Sequence, residues 1–450
     1  MPDLPEEKRR KIEPWPSFGP GRGERKGDNG LALRAVAQVA DATRQDALRA
    51  GPIASGIAFL DHMIDQLNSH AQLRVSLQVW RGDTCLQPHS NESHTSGCDG
   101  QVAALAGAAL GAAVKELLES GHNERRAIGG SFRFCAPLDE AFTDLRLEFP
   151  KAGETASSAE IDLAPYGCFP AAGRRRIGSF RTELTEVVLR SFAEALGATL
   201  KVRKIRGDNA HHIVEATFKS LARCLRAALD AFSGAGAAAA APSAPRRGGK
   251  QRSTKETSID VSLDLDAAVE AGAEGLCTGL NFLDALLARL RVASGIELRA
   301  SCRGDTWIDD HHSTEDVMIT VGKALAEALG DKAGCTRMAW AEGREGSAQV
   351  LCVMDLSNRP SFCSDLRLHV RDEEFVDDVS VEMIHHCFES FVMNALMTVH
   401  LLQVPSAEAI SARHVALAAA QAMGAALKQC IALDPRRGGV TASSKGTLSK

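Results

Sequence analysis

The chain has 450 residues, of which 44% are apolar and 24% are charged, and its formal net charge is −5. This composition is ordinary for a globular protein with enough residues for two or three domains. A slightly acidic chain gives no support to nucleic-acid binding, which needs a concentrated basic surface. We find no apolar run of transmembrane length in the sequence and expect no membrane partner. The twelve cysteines are scattered without a CxxC pair, which is typical of reduced core residues in a cytosolic protein.

The domain organisation can be predicted from shifts in composition along the chain. Residues 1–30 are rich in proline, glycine and charge, which predicts a disordered N-terminal segment. Its KRRK run is typical of a solvated charge cluster, although a localisation signal has the same composition. We predict a first domain over residues 31–232, an Ala/Pro/Gly-rich linker over 233–251 and a second domain over 252–450.

The two predicted domains are repeats of each other. Three pairs of segments show this: SGIAFLDHM (55–63) with TGLNFLDAL (278–286), RGDTCLQPH (81–89) with RGDTWIDDH (303–311), and LRSFAEALGATLK (189–201) with FESFVMNALMTVH (388–400). Within each repeat, short β-branched runs alternate with Ala/Leu-rich helical patterns. This alternation predicts an α+β fold, written twice.

Residues 304–316, GDTWIDDHHSTED, hold the densest group of chemically versatile side chains. A strand-like run precedes them and an amphipathic helical pattern follows. If the helix begins at the two histidines, then His311, His312 and Glu315 all project from one face of the helix, and this donor set suits a borderline divalent metal. A solvated helix N-terminus would have a similar composition. A second HHxxE, from His211 to Glu215, also opens a helical pattern and favours the metal-binding interpretation.

Together these motifs resemble the imidazoleglycerol-phosphate dehydratase family over nearly all of both repeats. The segments that carry the resemblance are FLDHMIDQLNSH (59–70), APLDEA (136–141), GDNAHHIVEATFK (207–219), RSTKET (252–257), GDTWIDDHHSTED (304–316), DLSNRP (355–360), and DPRRGG with SSKG (434–439, 443–446). The resemblance implies two tandem dehydratase domains, each made of two β-sheet/helix half-repeats of the ribosomal protein S5 domain 2-like type. A family chain usually has one such domain, so the fusion departs from the pattern.

The metal ligands that the family implies are divided between the two repeats. The first repeat keeps four positions and the second keeps the other four; these are His62, His211, His212 and Glu215, and then His311, His312, Glu315 and His386. In the first repeat, HHxxED is aligned with the degraded segment His89–His94, and Val187 replaces the mid-chain histidine. In the second repeat, DHM has become Asp284-Ala285-Leu286 and the second HHxxE has decayed to residues 413–417. This complementary loss predicts one composite dimetal site, with two Mn²⁺ ions, shared by the two domains within a chain or between adjacent chains.

The substrate-binding residues that the resemblance implies are divided in the same way. The first repeat keeps Gln66, His70 and Lys219, and the second keeps Glu256, Arg337, Arg359 and the tail Ser443-Ser444-Lys445. The two arginines could grip a phosphate with paired N–H groups, and the lysines could add point charges. Glu256, Glu215 and His70 are the candidate catalytic residues.

The implied activity is dehydration of imidazoleglycerol phosphate to imidazoleacetol phosphate in histidine biosynthesis, by a cytoplasmic homo-oligomer of fused pairs; a plastid location stays open. The alternative is a catalytically dead pseudoenzyme that serves as a structural or regulatory subunit of a dehydratase shell. A shifted imidazole or phosphate substrate also stays open at this point.

Overall fold

The computed structural model describes residues 20–27, 30–40, 52–85, 98–120, 129–151, 157–233, 242, 244–269, 274–437, 439–443 and 448. These residues form four consecutive quarters, each a small β-sheet with two helices. The first quarter contains β1 (Gly21–Lys26), β2 (Leu31–Val39), β3 (Ile53–Ala54), α1 (Ala58–Ala71), β4 (Leu73–Arg81), β5 (Thr84–Cys85) and α2 (Asp99–Ser120). The second contains β6 (Gly130–Leu138), β7 (Ala141–Phe149), β8 (Ser158–Asp162), β9 (Arg176–Ile177), β10 (Phe180–Arg181), α3 (Leu184–Leu196), β11 (Thr199–Arg206) and α4 (Ala210–Ser233).

The second repeat supplies the other two quarters. The third contains β12 (Arg247–Ser253), β13 (Thr257–Asp264), β14 (Leu276–Cys277), α5 (Asn281–Ser294), β15 (Glu297–Gly304) and α6 (His311–Leu329). The fourth contains β16 (Met338–Glu345), β17 (Ala348–Asp355), β18 (Ser361–Ser364), β19 (Phe375–Val376), β20 (Val379–Ser380), α7 (Val381–Asn394), β21 (Thr398–Gln403), α8 (Ala412–Ile431) and a 3₁₀ turn (Pro435–Arg437).

The same sheet topology occurs in all four quarters. The strand orders are β1-β2-β4-β3, β6-β7-β11-β8, β12-β13-β15-β14 and β16-β17-β21-β18. In each sheet an antiparallel hairpin comes first, and the last strand then pairs in parallel with the short strand before its helix. A parallel pair needs a crossover connection, and the helix between the two strands provides it. The α+β class and the two half-repeats per domain agree with the sequence prediction.

Alternation of apolar and polar residues explains which face of each sheet is covered. Along β13, for example, every second residue is buried beneath the helices while its neighbours face outward. Each domain thereby closes its own hydrophobic core between sheets and helices.

The ordered strands extend beyond the domain boundaries that we drew from composition. Strand β1 pairs along β2, so the first sheet begins before residue 31, and β12 begins at Arg247, inside the predicted linker. Residues 1–19 lie outside the described part of the chain. Helix α2 is long and apolar enough to cross a membrane by length and composition, contrary to the sequence prediction, but most of it is buried inside the protein.

The two domains pack against each other through the outer faces of two sheets. Cys135 and Phe142 of the first domain form one buried apolar cluster with Leu351 and Val353 of the second. The Arg133 guanidinium covers the Trp340 ring at 4.6 Å across the same contact. The second and fourth quarters therefore face each other, and residues at the ends of their strands are brought together.

Close helix–strand approach at Gly248 provides a test of the packing. A Cβ built on Gly248 would lie 2.0 Å from the Ala324 carbonyl oxygen in α6, whereas one on neighbouring Gly249 would lie 3.7 Å from the nearest atom. We expect Gly248→Ala to reduce the free energy of unfolding by about 1–3 kcal/mol because backbone must move aside. Gly249→Ala is the matched control, and equal melting temperatures of the two variants would contradict the described packing.

Candidate active site

The first cluster of potential metal ligands lies between α1 and α4. The α4 helix begins at Ala210, so His211 and Glu215 are one turn apart and face the same side, towards His62 of α1. The Glu215 Oε2 atom lies 3.0 Å from His211 Nε2 and 3.5 Å from His62 Nε2. One donor atom from each residue lies within 4.8 Å of the other two, which is close enough to share an ion.

The second cluster repeats this arrangement between α6 and α7. His311 and Glu315 are one turn apart on α6, and His386 projects from α7. Glu315 lies 3.2 Å from His386 Nε2 and 3.8 Å from His311 Nε2. The Asp310 carboxylate accepts hydrogen bonds from the backbone N–H and the hydroxyl of Ser380, which ties together the starts of the two helices.

The remaining two histidines of the predicted ligand set, His212 and His312, share a different arrangement. The Nδ1 atom of His212 lies 2.7 Å from Glu140, and that of His312 lies 3.2 Å from Asp305. A metal-binding histidine commonly donates its other ring N–H to a carboxylate, which fixes the ring and leaves Nε2 for the ion. Both side chains therefore have the surroundings of ligands, but neither belongs to the three-residue cluster beside it.

The eight predicted ligands thus form two groups of three and two single histidines. Within the described residues, no hydrogen bond or ion pair joins one group of three to the other. The structure leaves the prediction of a single shared dimetal site untested, and it shows two preformed half-sites in one chain.

The donor chemistry of both groups fits a transition-metal ion. Each offers two imidazoles and one carboxylate, a set that suits Mn²⁺, Fe²⁺ or Zn²⁺ better than Ca²⁺ or Mg²⁺. Burial by itself would raise the pKa of Glu215, but Lys219, His211 and His62 outweigh it and hold that pKa well below its ordinary value. The Glu215 carboxylate is therefore ionised at neutral pH, as a metal ligand must be.

Buried cations of both domains lie beside the first cluster, and we call this region the cationic pocket. Lys219 of α4 is almost fully buried, with its Nζ 2.8 Å from Glu215. Burial first, and then nearby Lys219, Arg337 and Arg437, lower the pKa of buried His70, which is therefore neutral. Arg337 and Arg437 belong to the second domain and Lys219 to the first, so both domains form the cationic pocket.

Several buried polar atoms in this region have no hydrogen-bond partner among the described residues. They are Gln66 Oε1, His70 Nδ1, and Nε and Nη2 of Arg437, although this Nε lies 3.9 Å from the Asp434 carboxylate. Buried polar atoms are normally hydrogen-bonded, and the Arg437 nitrogens could donate to an anion, whereas the Gln66 oxygen could only accept.

Arg437 is a residue that the sequence analysis missed. It lies in the 3₁₀ turn after α8, is 4% exposed, and donates from Nη1 to the Ser69 carbonyl oxygen of the first domain at 3.3 Å. The repeated PRRGG motif was the available signal, but spacing alone could not show that this arginine crosses to the other domain.

The other predicted substrate residues lie in varied surroundings. Arg337 is buried, makes two contacts of 2.7 and 2.9 Å with the Asp355 carboxylate, and donates from Nη1 to the Ala442 carbonyl oxygen, so each of its three nitrogens already has a partner. The Arg359 Nε atom donates to Asp139 of the first domain at 3.0 Å. Ser443 is half-buried near the chain end, whereas Ser444 and Lys445 lie outside the described residues. Glu256 has a half-exposed carboxylate 3.9 Å from His312 Nε2.

The position in the second domain that corresponds to the first cluster and its pocket is closed. Counting from the aligned DHM and HHxxE motifs, the original side chains are replaced on α5 and α8 by Ala285, Arg289, Ala293, Leu417 and Gln421. A Cβ on Gly424 of α8 would lie 2.7 Å from the Ala293 Cβ, so the two helices touch where the first domain has His70. The helices therefore pack too closely at this point to hold a side chain in the place of His70.

The described helices correct the alignment of the degraded HHxxED motif. Gly111 of α2 approaches the Phe192 carbonyl oxygen as Gly322 of α6 approaches that of Phe391, and the two phenylalanines are equivalent in the repeats. This register places residues 100, 101 and 104 (Gly, Gln and Ala) where α6 has His311, His312 and Glu315. The segment His89–His94, which we aligned there, precedes the helix and lies outside the described residues.

A His/Glu ligand cluster beside buried cations, with a second such cluster in the other domain, is typical of metal-dependent enzymes that act on small anions. Comparison with known proteins is more specific. A family model described as imidazoleglycerol-phosphate dehydratase matches residues 55–225 and 278–427. Because these segments span more than half of the chain, the chain belongs to the imidazoleglycerol-phosphate dehydratase family, with one matched segment in each domain.

Individual relatives match a single domain length. The imidazoleglycerol-phosphate dehydratase of Gloeobacter violaceus is 37% identical over 204 residues, which is 45% of this chain and 99% of that protein. The enzyme of the same name from Halorhodospira halophila is 38% identical over 198 residues, 44% of this chain and 96% of its own. A solved imidazoleglycerol-phosphate dehydratase from Pyrococcus furiosus is 26% identical with a TM-score of 0.36, and it covers 44% of this chain and 100% of that chain.

Inorganic phosphate provides a test of the cationic pocket in the metal-free protein. We expect phosphate to raise the melting temperature of the intact chain because it binds only the folded state. Lys219→Met should abolish most of this increase, since the variant removes a buried cation from the pocket. The control is Lys201→Met, which changes a half-exposed lysine on β11. An unchanged phosphate effect in Lys219→Met would place the anion elsewhere.

Proposed function

We propose that this chain is an active imidazoleglycerol-phosphate dehydratase, a hydro-lyase of histidine biosynthesis that releases water from imidazoleglycerol phosphate to give imidazoleacetol phosphate. Family membership and the names of the relatives support the reaction. The observation that carries the proposal is the preservation of one preformed three-ligand cluster in each domain, from opposite halves of the family pattern. A pseudoenzyme would have no reason to retain complementary halves, so that alternative is not favoured.

We assign the metal ligands residue by residue as two sets of three, each completed by one further histidine. His62, His211 and Glu215 form one set, and His311, Glu315 and His386 form the other; His212 and His312 supply the remaining ligands. We propose Mn²⁺ in both, two ions for each composite site. Bound at the substrate's imidazole ring, such ions would stabilise the negative charge that develops as a proton leaves carbon.

The composite site is proposed to form between adjacent chains of a homo-oligomer. The Nε2 atoms of His212 and His312 lie 3.9 Å from Asp139 and Glu256 and do not belong to the clusters of their own helices, and the described contacts do not join the two clusters. An ion held by three ligands in one chain would take its fourth from a neighbouring copy. A closed oligomer can satisfy this requirement for every copy at once.

The phosphate of the substrate is proposed to occupy the cationic pocket between the two domains. Gln66 and Lys219 would contact it from the first domain. Arg337, Arg359 and the tail Ser443-Ser444-Lys445 would do so from the second, and we add Arg437 to this group. The buried Nη2 atom of Arg437, which has no hydrogen-bond partner among the described residues, supports its assignment.

The proposed roles of the three candidate catalytic residues differ. Glu256 has an accessible carboxylate beside His312 and is the best placed of the three to hold or move a proton. Glu215 is kept ionised by its surroundings, which supports a ligand role over proton transfer. His70 is neutral and offers an unpaired Nδ1, so we propose that it orients the substrate by a hydrogen bond.

We propose that the protein is cytoplasmic. A plastid is the alternative compartment, because a wheat relative is named as chloroplastic.

Metal content gives the first quantitative test of the composite site. We expect about two Mn²⁺ ions per chain after reconstitution, together with dehydratase turnover, because each domain retains one ligand cluster. About four ions would show that the degraded positions still bind metal and would contradict complementary loss. Turnover of a different imidazole phosphate, but not of imidazoleglycerol phosphate, would indicate a related substrate instead.

Mixed oligomers test where the composite site forms. Glu215→Gln and Glu315→Gln should each reduce kcat by at least about a thousandfold, since each removes the carboxylate from one cluster. If one site combines clusters from two chains, mixed assemblies of the two variants should recover about a quarter of wild-type activity, because half of the chains supply each intact cluster. If the two variants form mixed oligomers but recover no activity, then both clusters of a site belong to one chain.

A further inference from the structure

The tight turn between β6 and β7, formed by Asp139 and Glu140, contacts both the first-domain helix α4 and the second domain. Asp139 has a positive φ of 49°, a conformation that costs energy for a residue other than glycine. Residues held in this way persist where surrounding contacts over-determine them, and the contacts around this turn come from two domains.

Glu140 connects the turn to His212. Its Oε2 atom is 2.7 Å from His212 Nδ1, and its Oε1 atom accepts the backbone N–H of Asn209 at 2.9 Å. One carboxylate therefore holds both the start of α4 and the ring of the proposed ligand. Any displacement of the turn would move the ring.

The second domain holds the other side of the turn. The His400 Nε2 atom donates to the Asp139 carbonyl oxygen at 2.9 Å, and the Arg359 Nε atom donates to the Asp139 carboxylate at 3.0 Å. His400 is completely buried in β21, and its Nδ1 lies 3.5 Å from an Arg206 nitrogen. That nitrogen can only donate, so Nδ1 is the acceptor and Nε2 carries the hydrogen. Burial, and then Arg206, lower the pKa of His400 to about 3, which keeps the ring in this neutral state.

In the described residues, the corresponding turn of the second domain has no such histidine contact from the first domain. Lys201 occupies the position of His400 in the first domain, where its side chain is 43% exposed and lies 3.7 Å from Glu148. The hairpin registers place Gly346 and Ser347 at the equivalent turn, so it has no carboxylate to orient a ring. The histidine is found only opposite the turn that carries Asp139 and Glu140.

We propose that His400 is a positioning residue that acts across the domain contact: it fixes the Asp139–Glu140 turn, and through Glu140 it fixes the ring of His212 for metal binding. Docking of the second domain thereby sets the geometry of a ligand in the first. This inference rests on the proposed role of His212 as a ligand.

The test is titration of the intact, metal-free chain with Mn²⁺, followed by a metal-sensitive spectroscopic signal such as electron paramagnetic resonance. His400→Leu removes both hydrogen bonds of the ring, and we expect about 10- to 100-fold weaker binding at one of the two sites, as for other residues that orient metal-binding histidines. His400→Gln retains a donor and an acceptor and should restore binding to within a few-fold of wild type. Lys201→Leu is the matched control and should leave both sites unchanged.

Glu140→Ala provides a second variant outside the buried contact, should His400→Leu fail to fold. It removes the carboxylate that holds His212 and should weaken the same site to a similar degree. All comparisons use protein whose circular dichroism shows it to be folded, so a purely structural role would lower the melting temperature but leave metal affinity intact.

Wild-type Mn²⁺ affinity in folded His400→Leu, or in Glu140→Ala, would overturn this inference while leaving the proposed function in place. A wild-type chain that binds no Mn²⁺ at all would overturn the proposed function, and this inference with it. The two failures are therefore distinguishable from the same titrations.

Discussion

The burial of like charges where the two domains meet is the constraint on which the arrangement of the site depends. Lys219 of one domain and Arg337 and Arg437 of the other are each almost fully removed from water. Such burial is costly without compensation, and Glu215, Asp355 and Asp434 each pair with one of the three cations. An anion bound between the domains would stabilise the cations further. The domains also meet in a small apolar cluster, and an anion bound among these cations would contact both domains.

The two repeats keep different residues of the family pattern, so neither repeat contains the whole pattern. An exact duplicate would carry the same side chains in both repeats, but this chain has one group of potential metal ligands in each domain, at different positions of the repeat. In the second domain, α5 and α8 have moved into contact where the first domain keeps His70 and Lys219. There the two helices pack directly against each other and contribute to the hydrophobic core of the second domain.

Local features of the fold and site could be predicted from the sequence, whereas those that depend on distant contacts could not. The spacing of His211 and Glu215, and of His311 and Glu315, is fixed by one helical turn, so their convergence follows from the pattern alone. The crossing of Arg437 into the first domain and the hydrogen bond from His400 to Asp139 depend on how two domains dock, for which sequence spacing gives no rule. The misplaced alignment of His89–His94 has a related cause, because an insertion before α2 displaced the motif from its helix.

Gly424 shows that the two repeats differ in the packing of their backbones. Its backbone approaches α5 so closely that there is room for little more than the methyl group of Ala293. A larger side chain at position 293, which corresponds to His70, would have to push α8 aside. The two repeats therefore differ in how closely their helices pack as well as in the side chains that they keep.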